Sequence, residues 1–184
     1  MPIDELARFA IREYSKHVLK SQDILVCLKL LDAPAGERSF SRLAEALGLS
    51  TSEVHAAVRR AERSGLVDAE SRAVRRDALL EFLVHGLRYV FPPEWRGVTR
   101  GIPTSFAAPP LAKDFAAADL PPVWPHPEGT ARGEGLAPLY KSAPKAALRD
   151  SQLYEWLALV DAVRAGRARE RRRATQEIER RLHA

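Results

Sequence analysis

Cysteine is almost missing from this chain. A single thiol, Cys27, stands among 184 residues. No internal disulfide can form, so the fold must hold by packing alone. Long apolar runs are missing too. No stretch approaches the roughly 20 apolar residues that a membrane-spanning helix needs. The opening MPIDELARFAIREY carries acids where a secretory leader has an apolar block. These absences predict a cytoplasmic protein that makes no use of a membrane.

Catalytic signatures are equally scarce. His17, His55, His85, His126 and His183 are scattered, and none has metal spacing with a cysteine or carboxylate in a compact motif. Glu81 and His85 are four apart, the spacing of neighbours on a helix surface. PEGTARGEG (Pro127 to Gly135) has spaced glycines and an arginine. It lacks the lysine and the strand-then-helix context of a phosphate loop, and reads as a turn-rich connection. There is no nucleophile elbow, paired-carboxylate motif or Ser/His/Asp signature. We therefore expect no enzyme, no metal and no cofactor. Cys27 sits among Val26, Leu28 and Leu31. With only Lys29 nearby to lower its pKa, it reads as a buried apolar cysteine rather than a redox sensor.

What is present is an apolar and basic chain. Apolar residues make up 46% and charged residues 29%, enough for a packed, soluble domain. Twenty-nine Lys and Arg against 24 Asp and Glu leave a formal charge of +5. That balance favours polyanionic partners, nucleic acid first.

Helical spacing recurs along the chain. Ile3 to about Val18 follows Pro2 with Ile3, Leu6, Phe9, Ala10 and Tyr14 in register. Ser21 is the expected N-cap of QDILVCLKLL, with Asp23 in the first turn and Ile24, Leu25, Leu28 and Leu31 facing the core. DAPAGE breaks it. SRLAEAL is a short helix ended by Gly48, the residue that best tolerates a left-handed cap. Ser50 and Glu53 then form a capping box that starts the next helix, which stops at Gly65. LVDAE and RAVRR flank Ser71 and pair as a small hairpin. Asp77 is the expected cap of ALLEFLVHGLRYVF, which stops at Pro92 and Pro93. Asp150 or Ser151 caps a last helix with an apolar stripe of Leu153, Trp156, Leu157, Val160 and Val163. That stripe fits the core or a dimer interface.

The segment from Phe40 to Val67 has the local requirements of a helix-turn-helix. Ala44 is small where the helices approach. Gly48 makes the turn. Val54 is a β-branched residue that packs back, with Leu43, Leu47, Leu49 and Val58 completing the cluster. With Val54 inward, Ser52, Ala56, Arg59 and Arg63 point away from the core, flanked by His55 and Arg60. Ser50 and Thr51 sit at the tip. In the docking mode of such motifs, the N-terminal part of the second helix reaches base edges. Ser, Thr and His are short polar readers, and Arg59 can reach a guanine or a phosphate. Ala56 permits close approach or touches a thymine methyl. Arg60 and Arg63 are expected to anchor phosphates.

FSRLAEALGLSTSEVHAAVRRAERSGLV resembles the core of bacterial winged-helix regulators of the MarR and related types. Their pattern is a helix LAxxLGLS, a capped SxSxVxxxVxxLExxGLV and then a wing. The resemblance covers about residues 28–76. Ala61 stands where a larger apolar residue is common, and the wing, Leu66 to Arg76, is shorter than usual. Arg72, Arg75 and Arg76 give the wing the charge for DNA. The resemblance implies a mainly α protein, a winged helix-turn-helix with a short β-hairpin wing. It also implies a DNA-binding transcriptional regulator, expected to act as a homodimer on duplex DNA and to repress.

The rest of the chain divides by composition. Residues 1–91 hold the helical N-terminus and the winged helix. Residues 92–149 contain most of the 13 prolines and several glycines, interleaved with Trp95, Phe106, Phe115, Trp124 and Tyr140. Disordered linkers are poor in aromatics, so this part reads as an extended segment that packs on a surface or a partner. An antitoxin-like module whose Pro-rich segment wraps a partner protein is the alternative function. Residues 150–184 carry the final helix, a candidate for dimerisation. The arginine run at Arg167–Arg173 reads as a solvated helix end with Glu170, Glu177 and Glu179 as its partners.

Overall fold

The structure, a computed structural model, describes residues 18–34 and 38–184. Almost all of the helix expected over 3–18 lies outside the described residues. The first described helix, α1 (Ser21–Asp32), is buried nearly all round, including Ile24, Leu25, Leu28 and Leu31. An all-round apolar helix belongs between layers. It starts one residue earlier than expected. Lys20 holds the cap position, and its backbone N–H donates to the Asp23 carboxylate at 2.8 Å. Asp23, at the third helical position, thus reaches back to the N–H of the cap residue, as the acidic half of a capping box does. Cys27 is fully buried, and burial pushes its thiol up to about 12.

Helix α2 (Phe40–Leu47) ends at Gly48 with φ of 64°, in the left-handed region that glycine accepts at no steric cost. Helix α3 (Thr51–Arg63) starts on the expected capping box. Glu53 N–H donates to Ser50 Oγ at 3.2 Å, and Ser50 N–H donates to the Glu53 carboxylate at 2.8 Å. The wing is a minimal hairpin. Val67 and Val74 form one antiparallel bridge, flanked by Asp68 N–H to Ala73 O and Arg75 N–H to Leu66 O, both 2.8 Å. Helix α4 runs from Arg76–Glu81 through a wider π turn, Phe82–Gly86, to Leu87–Val90. Arg75, not Asp77, occupies its cap position, and Asp77 lies in the first turn.

The proline-rich stretch differs most from expectation. It is not an extended arm. It folds into three strands, β1 (Trp95–Pro103), β2 (Pro122–Pro125) and β3 (Ala131–Leu136). β1 pairs antiparallel with both others, and β2 pairs parallel with β3, so the small sheet closes on itself. Prolines sit at strand ends, where a missing N–H costs the ladder least. Glycines sit where strands crowd together. A Cβ at Gly133 would lie 1.9 Å from Pro121 O, and one at Gly101 would lie 2.1 Å from Trp124 O. Neither contact is possible, so closure requires glycine at both places.

The expected last helix is two helices. After the short α5 (Ala143–Ala147), Asp150 caps α6 (Ser151–Ala165), accepting Leu153 N–H at 3.0 Å. The chain turns at Gly166, and α7 (Ala168–Leu182) packs back along α6. Ala174, Ile178 and Leu182, each four apart, are buried. The arginines take the other faces. Arg173 pairs with Asp114 at 2.7 Å, and Arg180 and Arg181 pair with Glu177 at 2.6 and 2.8 Å.

Helix α6 is the centre of the molecule. It packs on α1, α4, α5, α7 and the 3-10 turn at Ser105–Ala107. The stripe Leu153, Trp156, Leu157, Val160 and Val163 is buried inside the chain. Asp161 on this helix gathers three donors. Thr104 Oγ1 donates at 2.8 Å, Trp124 Nε1 at 2.6 Å and the Arg164 guanidinium at 2.7 Å. Arg164 also donates to the carbonyls of Phe91 and Pro92 at 2.9 and 3.3 Å. One buried carboxylate and its arginine thus join the sheet, the α4–β1 connection and the helical core.

Two outcomes follow. Replacing Asp161 by alanine strands a buried guanidinium and two other donors. Thermal or urea denaturation is expected to show a loss of about 3–5 kcal/mol. A loss below about 1 kcal/mol, the size of an ordinary substitution, would contradict this account. The second outcome concerns acid. Hydrogen bonding to Arg180, opposed by burial and reinforced by Arg181, brings the Glu177 carboxyl from 4.5 down to about 2. A depressed carboxyl stabilises the fold above its unfolded value and loses that contribution as pH falls from 4.5 towards 2. Urea midpoints at pH 6 and pH 3 should show Glu177→Gln clearly weaker than wild type at pH 6, with the gap narrowing at pH 3.

Candidate nucleic-acid interface

Helix α3 has two flanks and an outer face, and each is set by periodicity. Val54, Ala57, Val58 and Ala61 are buried against Leu43, Leu47 and α1. Ser52, His55, Arg59 and Arg63 are exposed, and Ala56 is half-buried among them. The stripe Ser52, Ala56, Arg59, Arg63 therefore stands on one side of the helix, as 3.6-residue spacing requires.

Arg60 is not part of that face. It is only 6% exposed, and its guanidinium forks onto Asp23, Nη2 to Oδ1 at 2.6 Å and Nε to Oδ2 at 2.8 Å. The expectation of a phosphate anchor is corrected here. Residues 53 and 60 are seven apart, on the flank turned to α1. There Gln22 meets Glu53 at 3.5 Å and Asp23 meets Arg60. Two planar groups with matched donors and acceptors make this a bidentate pair, which places α3 on α1 in one register.

The remaining expected residues have definite surroundings. Ser50 is committed to the cap, and its hydroxyl also donates to Glu53 at 2.8 Å and lies 3.0 Å from Ser52 Oγ. Thr51 is exposed at the tip. The Ser50 backbone N–H, then its hydroxyl, and at longer range Lys141 hold the Glu53 carboxyl below its usual range. Arg59 is exposed and pairs with Glu62 at 3.0 Å. Arg75 is exposed on the wing. Arg76, although exposed, donates to the carbonyls of Arg181 and Leu182 at 3.3 and 3.1 Å, so it ties the start of α4 to the end of α7.

Phe40 is the residue that the sequence pattern did not single out. Its ring meets His55 edge-on, with centroids 5.2 Å apart, and the Arg72 guanidinium lies 4.7 Å from its centroid. One aromatic at the start of α2 thereby bridges α3 and the wing. It brings Arg72 to the side of α3 that carries His55. Arg72 reaches this place through a left-handed backbone, φ 56°, in a turn closed by Asp68, whose carboxylate accepts from Ser71 and Glu70. A half-exposed aromatic directly after an N-cap serine was the available signal.

Among the described residues, no group of three or more His, Cys, Asp and Glu could hold a metal ion. No helix among them is long and apolar enough to cross a membrane. No curated protein and no solved structure matches the chain. The family model described as winged helix-turn-helix DNA-binding matches residues 28–68, from within α1 through α3 to the first limb of the wing. Residues 28–68 are thus a winged helix-turn-helix of the DNA-binding type, and the closed sheet and the C-terminal helices are built onto it.

Proposed function

We propose that the protein is a sequence-specific regulator of transcription that binds duplex DNA through the outer face of α3. The observation that carries this reading is the outward stripe of exposed Ser52, Arg59 and Arg63 around half-buried Ala56, joined by Arg72 through Phe40. Short polar groups near the N-terminal end of α3 suit base edges, and the arginines suit guanine or phosphate. Thr51 and His55 extend the reading surface, and Arg75 extends the charged one. In this view the chain binds rather than catalyses. A kinship to MarR-type regulators belongs to the same reading, on the strength of residues 28–76.

Action as a homodimer on an inverted repeat is part of the proposal. Two-fold symmetry would set two copies of α3 in successive major grooves, about 34 Å apart. The C-terminal apolar stripe is used inside the chain, so the pairing surface lies elsewhere. Tyr89, 77% exposed at the end of α4, and its neighbour Val90 are apolar groups open to such a contact. Repression by covering a promoter needs only the DNA-binding face and is the mode we infer.

Two neighbouring arginines separate the reading from its rival, a merely basic helix. Arg59→Ala is expected to leave thermal stability within about 0.5 kcal/mol of wild type. It should weaken binding to the selected operator by about 1–3 kcal/mol. Arg60→Ala is expected to do the opposite first. It leaves Asp23 buried without its partner and destabilises the fold by about 3–5 kcal/mol. Gel shift on DNA selected from a random pool, with melting curves of both variants, checks the pair. Unchanged operator affinity in Arg59→Ala and in Arg63→Ala would remove α3 as the reading helix. A footprint without two related half-sites would remove the dimer.

A further inference from the structure

A groove of about 780 Å³ lies between the closed sheet and α5. That volume is of binding-site size rather than a surface crevice. Its charge is one-sided. Arg96 from β1, His126 just after β2, Lys141 before α5 and Lys145 on α5 line it, against the single carboxylate of Glu94. Arg96, Lys141 and Lys145 are exposed. Among the described residues the Glu94 carboxylate pairs with Arg96 at 3.5 Å, both side chains in water, which neutralises little.

The groove also has a defined position relative to α3. Ser142 in its wall packs on the helix-turn-helix turn, where a Cβ at Gly48 would lie 3.9 Å from Ser142 Cβ. Helix α5, which begins just after Lys141, packs on α2. One wall of the groove therefore lies against the turn that leads into α3, whose N-terminal end is the one that enters DNA in this docking mode. The Ser142 hydroxyl is the one buried side-chain polar atom without a hydrogen-bond partner among the described residues, and a hydroxyl rotor can serve as donor.

The geometry points to this groove as a second DNA contact, one that takes the sugar–phosphate backbone flanking the site read by α3. Arg96, Lys141 and Lys145 neutralise phosphates there, and no base is read. The inference rests on the reading of α3 as the DNA-binding helix. It adds that the part of the chain outside residues 28–68 lengthens the footprint and raises affinity without adding sequence preference.

The test uses the full chain with Arg96, Lys141 and Lys145 all changed to glutamine, beside wild type, Arg59→Ala and Arg63→Ala. Operator duplexes with short and long flanks are titrated at several salt concentrations. Each lost phosphate contact lowers the slope of log affinity against log salt by about 0.9. The triple variant should therefore lose about 2–3 of that slope on the long duplex. It should lose little on the short one and keep its preference among operator sequences. Hydroxyl-radical protection should shrink on the flanks and persist at the centre. Circular dichroism confirms that these surface changes leave the fold intact. Wild-type slope and wild-type flank protection in the triple variant would overturn the groove while leaving α3 untouched. If Arg59→Ala and Arg63→Ala each bind every duplex as wild type does, the reading of α3 fails, and this inference fails with it.

Discussion

The Asp161 carboxylate on α6 is the contact on which the rest of the molecule depends. A charge at this depth is tolerable only when donors surround it. Here they come from three parts of the chain: Thr104 just after β1, Trp124 on β2 and Arg164 on the same helix. Arg164 in turn holds the carbonyls of Phe91 and Pro92, where α4 hands over to β1. Apolar burial alone would let the small sheet slide on α6. The polar cluster fixes its position, because a shifted sheet would leave buried donors and a buried charge unmet.

A second buried pair does the same for the DNA-binding half. Asp23 and Arg60 set the register of α3 on α1. With Phe40 between His55 and Arg72, they define how α3 and the wing are presented. Arg59 and Arg60 are adjacent in sequence and differ completely in role. One faces water beside Glu62, and the other is locked in the core. The outer face of α3 is thus supported from behind by a buried ion pair.

Much of the helix-turn-helix was legible in the sequence because its signals are local. Gly48 needed a left-handed backbone, Ser50 and Glu53 needed each other, and Val54 needed Leu43 and Leu47. All are met within one or two turns. Arg60 was misplaced because its partner, Asp23, lies 37 residues away, and periodicity alone puts position 60 on a boundary flank. The sheet was illegible for the same reason. Its strands are short, carry prolines at their ends, and close through pairings between residues tens of positions apart. The interleaved aromatics indicated order, and Trp124 is indeed buried. The kind of order depended on Gly101 and Gly133 meeting backbone that no local pattern announces. Gly166 likewise split an apparent single helix into two.

The central place of α6 also bears on the order of synthesis. Helix α1 packs against α6, Lys29 pairs with Asp150, and the Trp156 indole donates to Asp32. Helix α3 therefore stands on a helix whose other side is completed only after residue 165 has been made. Non-local contacts of this span form late. A nascent chain that carries α3 but not α6 has the right letters for DNA without a firm platform beneath them. Fragments that end before α6 would thus lack the support that presents α3, and the far end of the chain certifies the near one.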